Sequence, residues 1–184
     1  MRGVDAADPA PVLRIVPQDT DVRLRPASPA DDAFVANLFK IVRADVFAAA
    51  QLPPAMLDTM LDQQFRAQAA SHAAQFPNAL SFVITRDARP VGRLLLHVDA
   101  HHWHMVDIAL ISAARNQGIG TGVIAALARE ARTQGVPQLR LMVLASNSGA
   151  RRLYARLGFI STDAAKSGSH IMMAKPLDGQ AISQ

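Results

Sequence analysis

The chain has 184 residues, half of them hydrophobic, with 19 basic and 15 acidic side chains, a formal net charge of +4 and no cysteine. That length fits one domain with a substantial core, the apolar content excludes global disorder, and the missing thiol excludes both a disulfide framework and a cysteine nucleophile. The basic residues, mostly arginine, are scattered without a basic block or interleaved aromatics, which excludes the usual footprint of a nucleic-acid binder.

Residues 1–18 carry acids and prolines and lack the continuous apolar core of a signal peptide, so they read as a flexible lead-in. A single domain is expected over residues 19–178, followed by a flexible tail at 179–184. The longest apolar runs, such as VIAALA, are too short to span a membrane. The expected location is the cytoplasm, with no membrane or nucleic-acid partner and a monomeric or homodimeric state.

Val22 and Leu24 alternate with arginines, as in a half-buried strand. Ser28 and Pro29 suit a helix N-cap and first helical position, with Asp31 and Asp32 in the first turn. This helix presents Phe34, Leu38, Ile41 and Val42, and QLPP breaks it. A second helix is expected from Pro54 to about Gln75, with Met56, Met60, Leu61 and Phe65 at helical spacing. That stripe reads as core packing, with a pocket lining as the alternative.

The texture then changes to strands. ALSFVIT, the turn RDARP and VGRLLLHVD make a hairpin, and HHWHMVDIALI is the next strand. RNQGIGTG follows, then an amphipathic helix carrying Val123, Ile124, Leu127, Ala128 and Ala131, ended by Gly135 and Pro137. LRLMVLA is a buried strand, GARRLYARLGF a helix, and GFIST and HIMMAKPL pair as a closing hairpin. The order is strand, two helices, three strands, helix, strand, helix, two strands. It predicts a mixed α/β (α+β) fold with a right-handed crossover around the glycine-started helix.

A strand feeding glycines feeding a helix suits phosphate binding. The first helical N–H groups have no intrahelical partner, the helix dipole adds positive charge, and glycines let an anion approach. Gln117 through Gly122 can cradle a pyrophosphate in this way. The lysine of a P-loop is missing. The spacing Gly118-x-Gly120-x-Gly122 is not that of a dinucleotide fingerprint, and no suitable acidic residue ends a following strand.

Arg115-x-Gln117-Gly118-x-Gly120 resembles the pyrophosphate-binding motif [RQ]-x-x-G-x-[GA] of the GNAT N-acetyltransferase family. Asn147, Ala150, Leu153, Tyr154, Gly158 and Phe159 are similar to its later N-x-x-A-x-x-L-Y-x-x-x-G-F segment. The likeness covers roughly residues 80–173. Asn116, Ser112 and Gly149 depart from it, standing where glycine, proline and proline are common. The resemblance implies a mixed, mostly antiparallel sheet with a cofactor cleft between two splayed strands. It implies an acetyl-CoA-dependent enzyme acting on a primary amine by direct transfer.

The same resemblance implies cofactor contacts from Ala109 and Leu110 by their backbone, from Arg115, Gln117, Gly118, Ile119, Gly120, Thr121 and Gly122, and from Asn147 and Tyr154. Tyr154, the only tyrosine, would protonate the departing thiolate or else only position the cofactor. Asn147 also suits a helix N-cap. Asp107 would take the amine's proton, directly or through water, or sit as an ion-paired strand residue.

No metal site is expected. His102 and His104 share a strand face near His97, but the stretch lacks firmly spaced carboxylate or cysteine ligands. A solvated turn beside a packed Trp103 is the simpler reading, substrate contact or a base role the alternative. The acceptor stays open: Asp58 and Asp62 are the only acids on the second helix, few for a polyamine. The rival from another class is a non-catalytic acyl-CoA-binding or sensor domain on the same scaffold, against which Tyr154 and Asn147 argue. An interaction protein using the arginine-rich last helix is a further alternative.

Overall fold

A computed structural model describes residues 13–47, 52–162 and 169–177. Seven strands form one sheet: β1 (Val22–Pro26), β2 (Leu80–Arg86), β3 (Arg89–Val98), β4 (Trp103–Leu110), β5 (Gln138–Leu144), β6 (Ile160–Ser161) and β7 (His170–Pro176). Their spatial order is β1-β2-β3-β4-β5-β7-β6. Every neighbouring pair is antiparallel except β4 and β5. The helices are α1 (Asp32–Phe47), α2 (Pro54–Gln75), α3 (Ile119–Thr133) and α4 (Ser148–Arg156). The expected element order and mixed sheet are both present.

The core lies where α3 meets the central strands. Val123, Ile124, Leu127, Ala128 and Ala131 are buried together with Leu94, Leu96, Leu139 and Leu141. The parallel β4/β5 pair needs a crossover, and α3 supplies it with an apolar stripe facing the sheet. Packing begins earlier than residue 19. Ile15 is buried in this core, Arg129 donates to the Val16 carbonyl at 2.8 Å, and the Arg14 N–H donates to Glu130 at 3.2 Å. Residues 1–12, the loop after β6 and the tail lie outside the described residues.

The methionine stripe of α2 is only in part a core face. Leu61 is buried and the Phe65 ring meets Phe39 at 5.5 Å, but Met56 is exposed. Helix α2 packs on α1 over a short contact, so most of its surface faces outward. Asp58 and Asp62 both pair with Lys40 of α1, at 2.7 and 2.8 Å. Helix α1 starts from Asp31. The Arg25 guanidinium donates to its carboxylate at 2.8 and 2.6 Å, and the Ser28 N–H donates at 2.8 Å. The Ser28–Pro29 start read from the sequence is thus a capping box.

Two features of β4 open the sheet. Its pairing with β5 is confined to Trp103–Met105 against Leu139–Leu141. At that point the register with β3 slips: Leu95 faces Asp107 and Leu96 faces Met105, leaving Val106 as a bulge. A bulge adds twist and bends its strand. Beyond it β4 stays with β3 and β5 stays with β7, so the two strands part.

Candidate functional site

Gly118, with φ of +79°, caps α3 in the left-handed region, where a side chain would be strained. Gly120 and Gly122 differ. Neither has a positive φ. A Cβ on Gly122 would meet nothing within 4 Å, and one on Gly120 only the Leu110 side chain at 3.8 Å. The protein itself therefore gives no reason for these two to be glycine, which leaves close approach from outside. Gly92 is the opposite case: its Cβ would collide with the Ala109 carbonyl oxygen and the Leu110 side chain.

The loop is held from within. The Arg115 Nε donates to the Leu110 carbonyl at 3.0 Å, stapling the loop to the end of β4. Gln117 accepts a hydrogen bond from Arg86 and donates to the Ala113 carbonyl at 2.6 Å. The Arg115 Nε and the Gln117 amide are thus used in building the loop. Asn116 has φ of +59°, a conformation glycine and asparagine tolerate best, which explains that departure from the motif. Ile119 points its side chain into the core, and Thr121 is exposed. What the first turn presents outward is its N–H groups. The Gly122 N–H closes the first helical bond, to Gly118 at 2.8 Å, which leaves those of Ile119, Gly120 and Thr121 without an intrahelical acceptor.

The parted strands bound a cleft of about 670 Å³, lined by both of them and by α1, α2 and α4. The Ile111 N–H donates to the Val91 carbonyl at 2.9 Å. Antiparallel alternation then turns the backbone groups of Ala109 and Asp107 toward β3, and those of Ile108 and Leu110 toward the open side. Ile108 and Ala109 both line the cleft, and of the two it is Ile108 whose backbone groups face the open side. The bulge and pairing that set this alternation are not visible in the sequence.

Helix α4 brings Asn147 and Tyr154 to the same cleft. Asn147 is the N-cap: its side chain accepts from the Ala150 N–H at 3.0 Å. The Tyr154 ring packs against Phe159 with centroids 5.7 Å apart. Its hydroxyl has no hydrogen-bond partner among the described residues. Burial pushes the phenol up to about 12, and the negative charge of Asp107 adds to the shift. The phenol therefore holds its proton at neutral pH and lines a cavity with that proton uncommitted.

Asp107 lines the cleft too, 3.3 Å from the Nε of Arg93. The ion-paired reading of Asp107 is present, and it does not remove the carboxylate from the cavity. Arg93, His72, Phe76 and Arg43 also line the cleft and escaped the sequence reading. They come from α1, α2 and β3, with no local motif to mark them. Burial lowers the His72 pKa, against the pull of Asp107 and with the help of Arg93.

The histidine stretch divides. His101 is exposed and Trp103 buried, as the turn reading expects. His104 is buried instead: it stacks on Phe76 at 5.1 Å, sits across from His97, and burial lowers it to about 4. No group of three or more metal-ligating side chains occurs among the described residues.

Comparison with known proteins agrees with this geometry. The model of the acetyltransferase (GNAT) family matches residues 47–159. An uncharacterised N-acetyltransferase of Bacillus subtilis, YycN, is 36% identical over 81 residues. That match covers 42% of this chain and 52% of the relative, so the chain spans about half the length of the curated relative it matches. PaiA N-acetyltransferase of Thermoplasma acidophilum, solved in complex with coenzyme A, superposes with a TM-score of 0.66 at 16% identity, covering 84% of this chain and 98% of that one. A GNAT acetyltransferase of Elizabethkingia anophelis, solved with acetyl-CoA bound, gives 0.57 at 15% identity over 86% and 99%. These likenesses carry the fold, and the family match spans more than half of the sequence: the chain belongs to the GNAT acetyltransferase family.

Proposed function

We propose that this protein is an N-acetyltransferase that moves an acetyl group from acetyl-CoA directly to a primary amine of a small molecule or peptide. The observation that carries this reading is the bare first turn of α3, whose Gly120 and Gly122 serve no need of the fold, following a strand, β4, that lines a cleft with an uncommitted phenol. The amides of Ile119, Gly120 and Thr121 would hold the pyrophosphate, with the helix dipole behind them. The outward backbone groups of Ile108 and Leu110 would pair with the pantetheine arm, and an N–H there would face the developing oxyanion. Asn147, with its side chain engaged as a cap, would define the far wall.

Acetyl-CoA supplies a thioester: the amine nitrogen forms a bond to its carbonyl carbon as the carbon–sulfur bond breaks. The nitrogen loses one proton and the departing sulfur gains one. Tyr154 gives its proton to the sulfur, a role that suits a phenol kept neutral by burial. Asp107 takes the proton from the nitrogen, directly or through water. The chain carries no cysteine, consistent with direct transfer.

The test is thiol release from acetyl-CoA across a panel of amines, with products identified by mass spectrometry and coenzyme A binding measured by calorimetry. Binding with amine-dependent release supports the proposal. Binding without release for any amine favours an acyl-CoA sensor, and no binding overturns the reading of the α3 loop.

A further inference from the structure

The acceptor end of the cleft has a charge pattern the reaction itself does not need. Arg93 stands where the cleft meets a second, smaller pocket of about 230 Å³ between the end of α2 and β3. Its side chain is only 16% exposed. The Nε lies near Asp107 but is buried without an aligned hydrogen bond. The remaining guanidinium N–H groups have no hydrogen-bond partner among the described residues. The Nε is therefore buried beside a carboxylate, while the terminal nitrogens stay accessible and can take a further anion. Arg43 adds a second cation to the cleft wall, where its partner among the described residues is the Phe39 ring, 5.5 Å away.

The anions do not balance these cations. Among the described residues Asp107 is the only carboxylate lining the cleft, and Asp58 and Asp62 are tied to Lys40. Burial lowers the pKa values of His72 and His104, so neither changes the balance at neutral pH. The cleft therefore opposes a polycation and favours a group with its own negative charge. The small pocket sets apolar Phe65, Phe76 and Leu95 beside polar Gln68, His72 and Arg93.

We infer that the acceptor is a zwitterionic α-amino acid with an apolar side chain. Its carboxylate lies on the free donors of Arg93, its amine beside Asp107, and its side chain in the pocket between α2 and β3. An α-amino acid carries its two charges a few ångströms apart, which matches an arginine and an aspartate whose atoms approach to 3.3 Å. Planar guanidinium suits a carboxylate better than an ammonium would. The volume of about 230 Å³ lies below that of ordinary small-molecule sites and suits one side chain. The inference rests on the acetyltransferase reading, and the transfer step is the one given above.

The experiment compares matched acceptors: phenylalanine with phenylalaninamide and phenethylamine, leucine with leucinamide, and spermidine as the polycation. Thiol release gives kcat/KM, and calorimetry gives the binding of coenzyme A and of phenylalanine to the full chain. The free amino acids should exceed their amides by about 10- to 100-fold in kcat/KM, the range of a lost hydrogen bond to a charged group. Arg93→Gln should erase that preference through KM while coenzyme A binding is unchanged, and Arg93→Lys should restore part of it. Ala73→Phe fills the pocket without touching the ion pair. It should reduce turnover of phenylalanine and spare alanine, which keeps the test alive if the Arg93 variants do not fold.

Amides or spermidine used as well as the amino acids would overturn the inference, as would an Ala73→Phe enzyme unchanged toward phenylalanine. Should no amine be turned over, phenylalanine binding lost in Arg93→Gln still supports the site, and no phenylalanine binding in the wild type overturns it. Loss of coenzyme A binding in the wild type is the separate result that would sink the acetyltransferase reading.

Discussion

The two ends of the cleft are built by different means. The proposed cofactor end would be a backbone device: a left-handed cap at Gly118, unmatched amides at the start of α3, and a strand edge freed by a bulge at Val106. The proposed acceptor end would be a side-chain device, assembled from Arg43 on α1, His72 on α2, Arg93 on β3 and Asp107 on β4, all of which line the cleft. A backbone device constrains few residue types, so it would tolerate change elsewhere in the chain. Side-chain devices are respecified by single substitutions, so acceptors can diverge on an unchanged scaffold.

The contrast breaks most visibly at Gly120. Gly120→Asp should abolish detectable coenzyme A binding by calorimetry while the protein stays folded, because the new Cβ has room but its carboxylate repels pyrophosphate. Unchanged affinity would reduce the loop to a turn.

Tyr154→Phe should lower kcat by about 10²–10⁴-fold, or about 3–5 kcal/mol of barrier, and leave the coenzyme A Kd nearly constant. Because the phenol is pushed up to about 12, the wild-type rate should not fall through its ionisation anywhere between pH 6 and 10. Wild-type turnover in the phenylalanine variant would remove the acid role.

Gly122→Ala separates fold from function by sign. With open space at the Cβ, the melting temperature should rise, by the equivalent of about 0.5–1 kcal/mol for an unstrained helical site. Coenzyme A affinity should fall at the same time, and a variant that gains both would deny that the bare turn serves a ligand.

Asp31→Asn tests the other end. Its hydrogen bond from Arg25, then that from the Ser28 N–H, hold the Asp31 carboxyl well below the usual carboxylate range. A depressed folded pKa stabilises above the unfolded value, near 4, and that stability is lost as pH falls through the folded value. The variant should melt below the wild type at pH 7, with the gap narrowing below about pH 4. Since Asp31 anchors α1, acceptor KM should rise while coenzyme A Kd holds.

The smallest effect is expected from Lys40→Met, which removes a largely exposed link between α1 and α2. A loss of about 1 kcal/mol or less in stability is expected, with any kinetic change confined to the acceptor, as steady-state kinetics beside a thermal melt would report.

The order of elements was legible because it is written in local chemistry. Pro54 and Gln75 bound α2 in the sequence as in the structure, alternation marks the strands, and Gly118, Gly120 and Gly122 mark the start of α3. Asn147 and Tyr154 were legible through their fixed spacing on one short helix, and the structure brings both to the cleft. Tertiary structure alone decided where β4 leaves β5. That depends on a one-residue slip against β3, which turns Ile108 rather than Ala109 toward the opening. It alone decided that His104 is buried against Phe76, and that Arg93 and Asp107 meet. These contacts join residues far apart in the chain, whose own neighbours are ordinary strand and helix residues. Local propensity fixes where an element begins and ends, but register and packing fix which side chains share a cavity, and those are properties of the whole sheet.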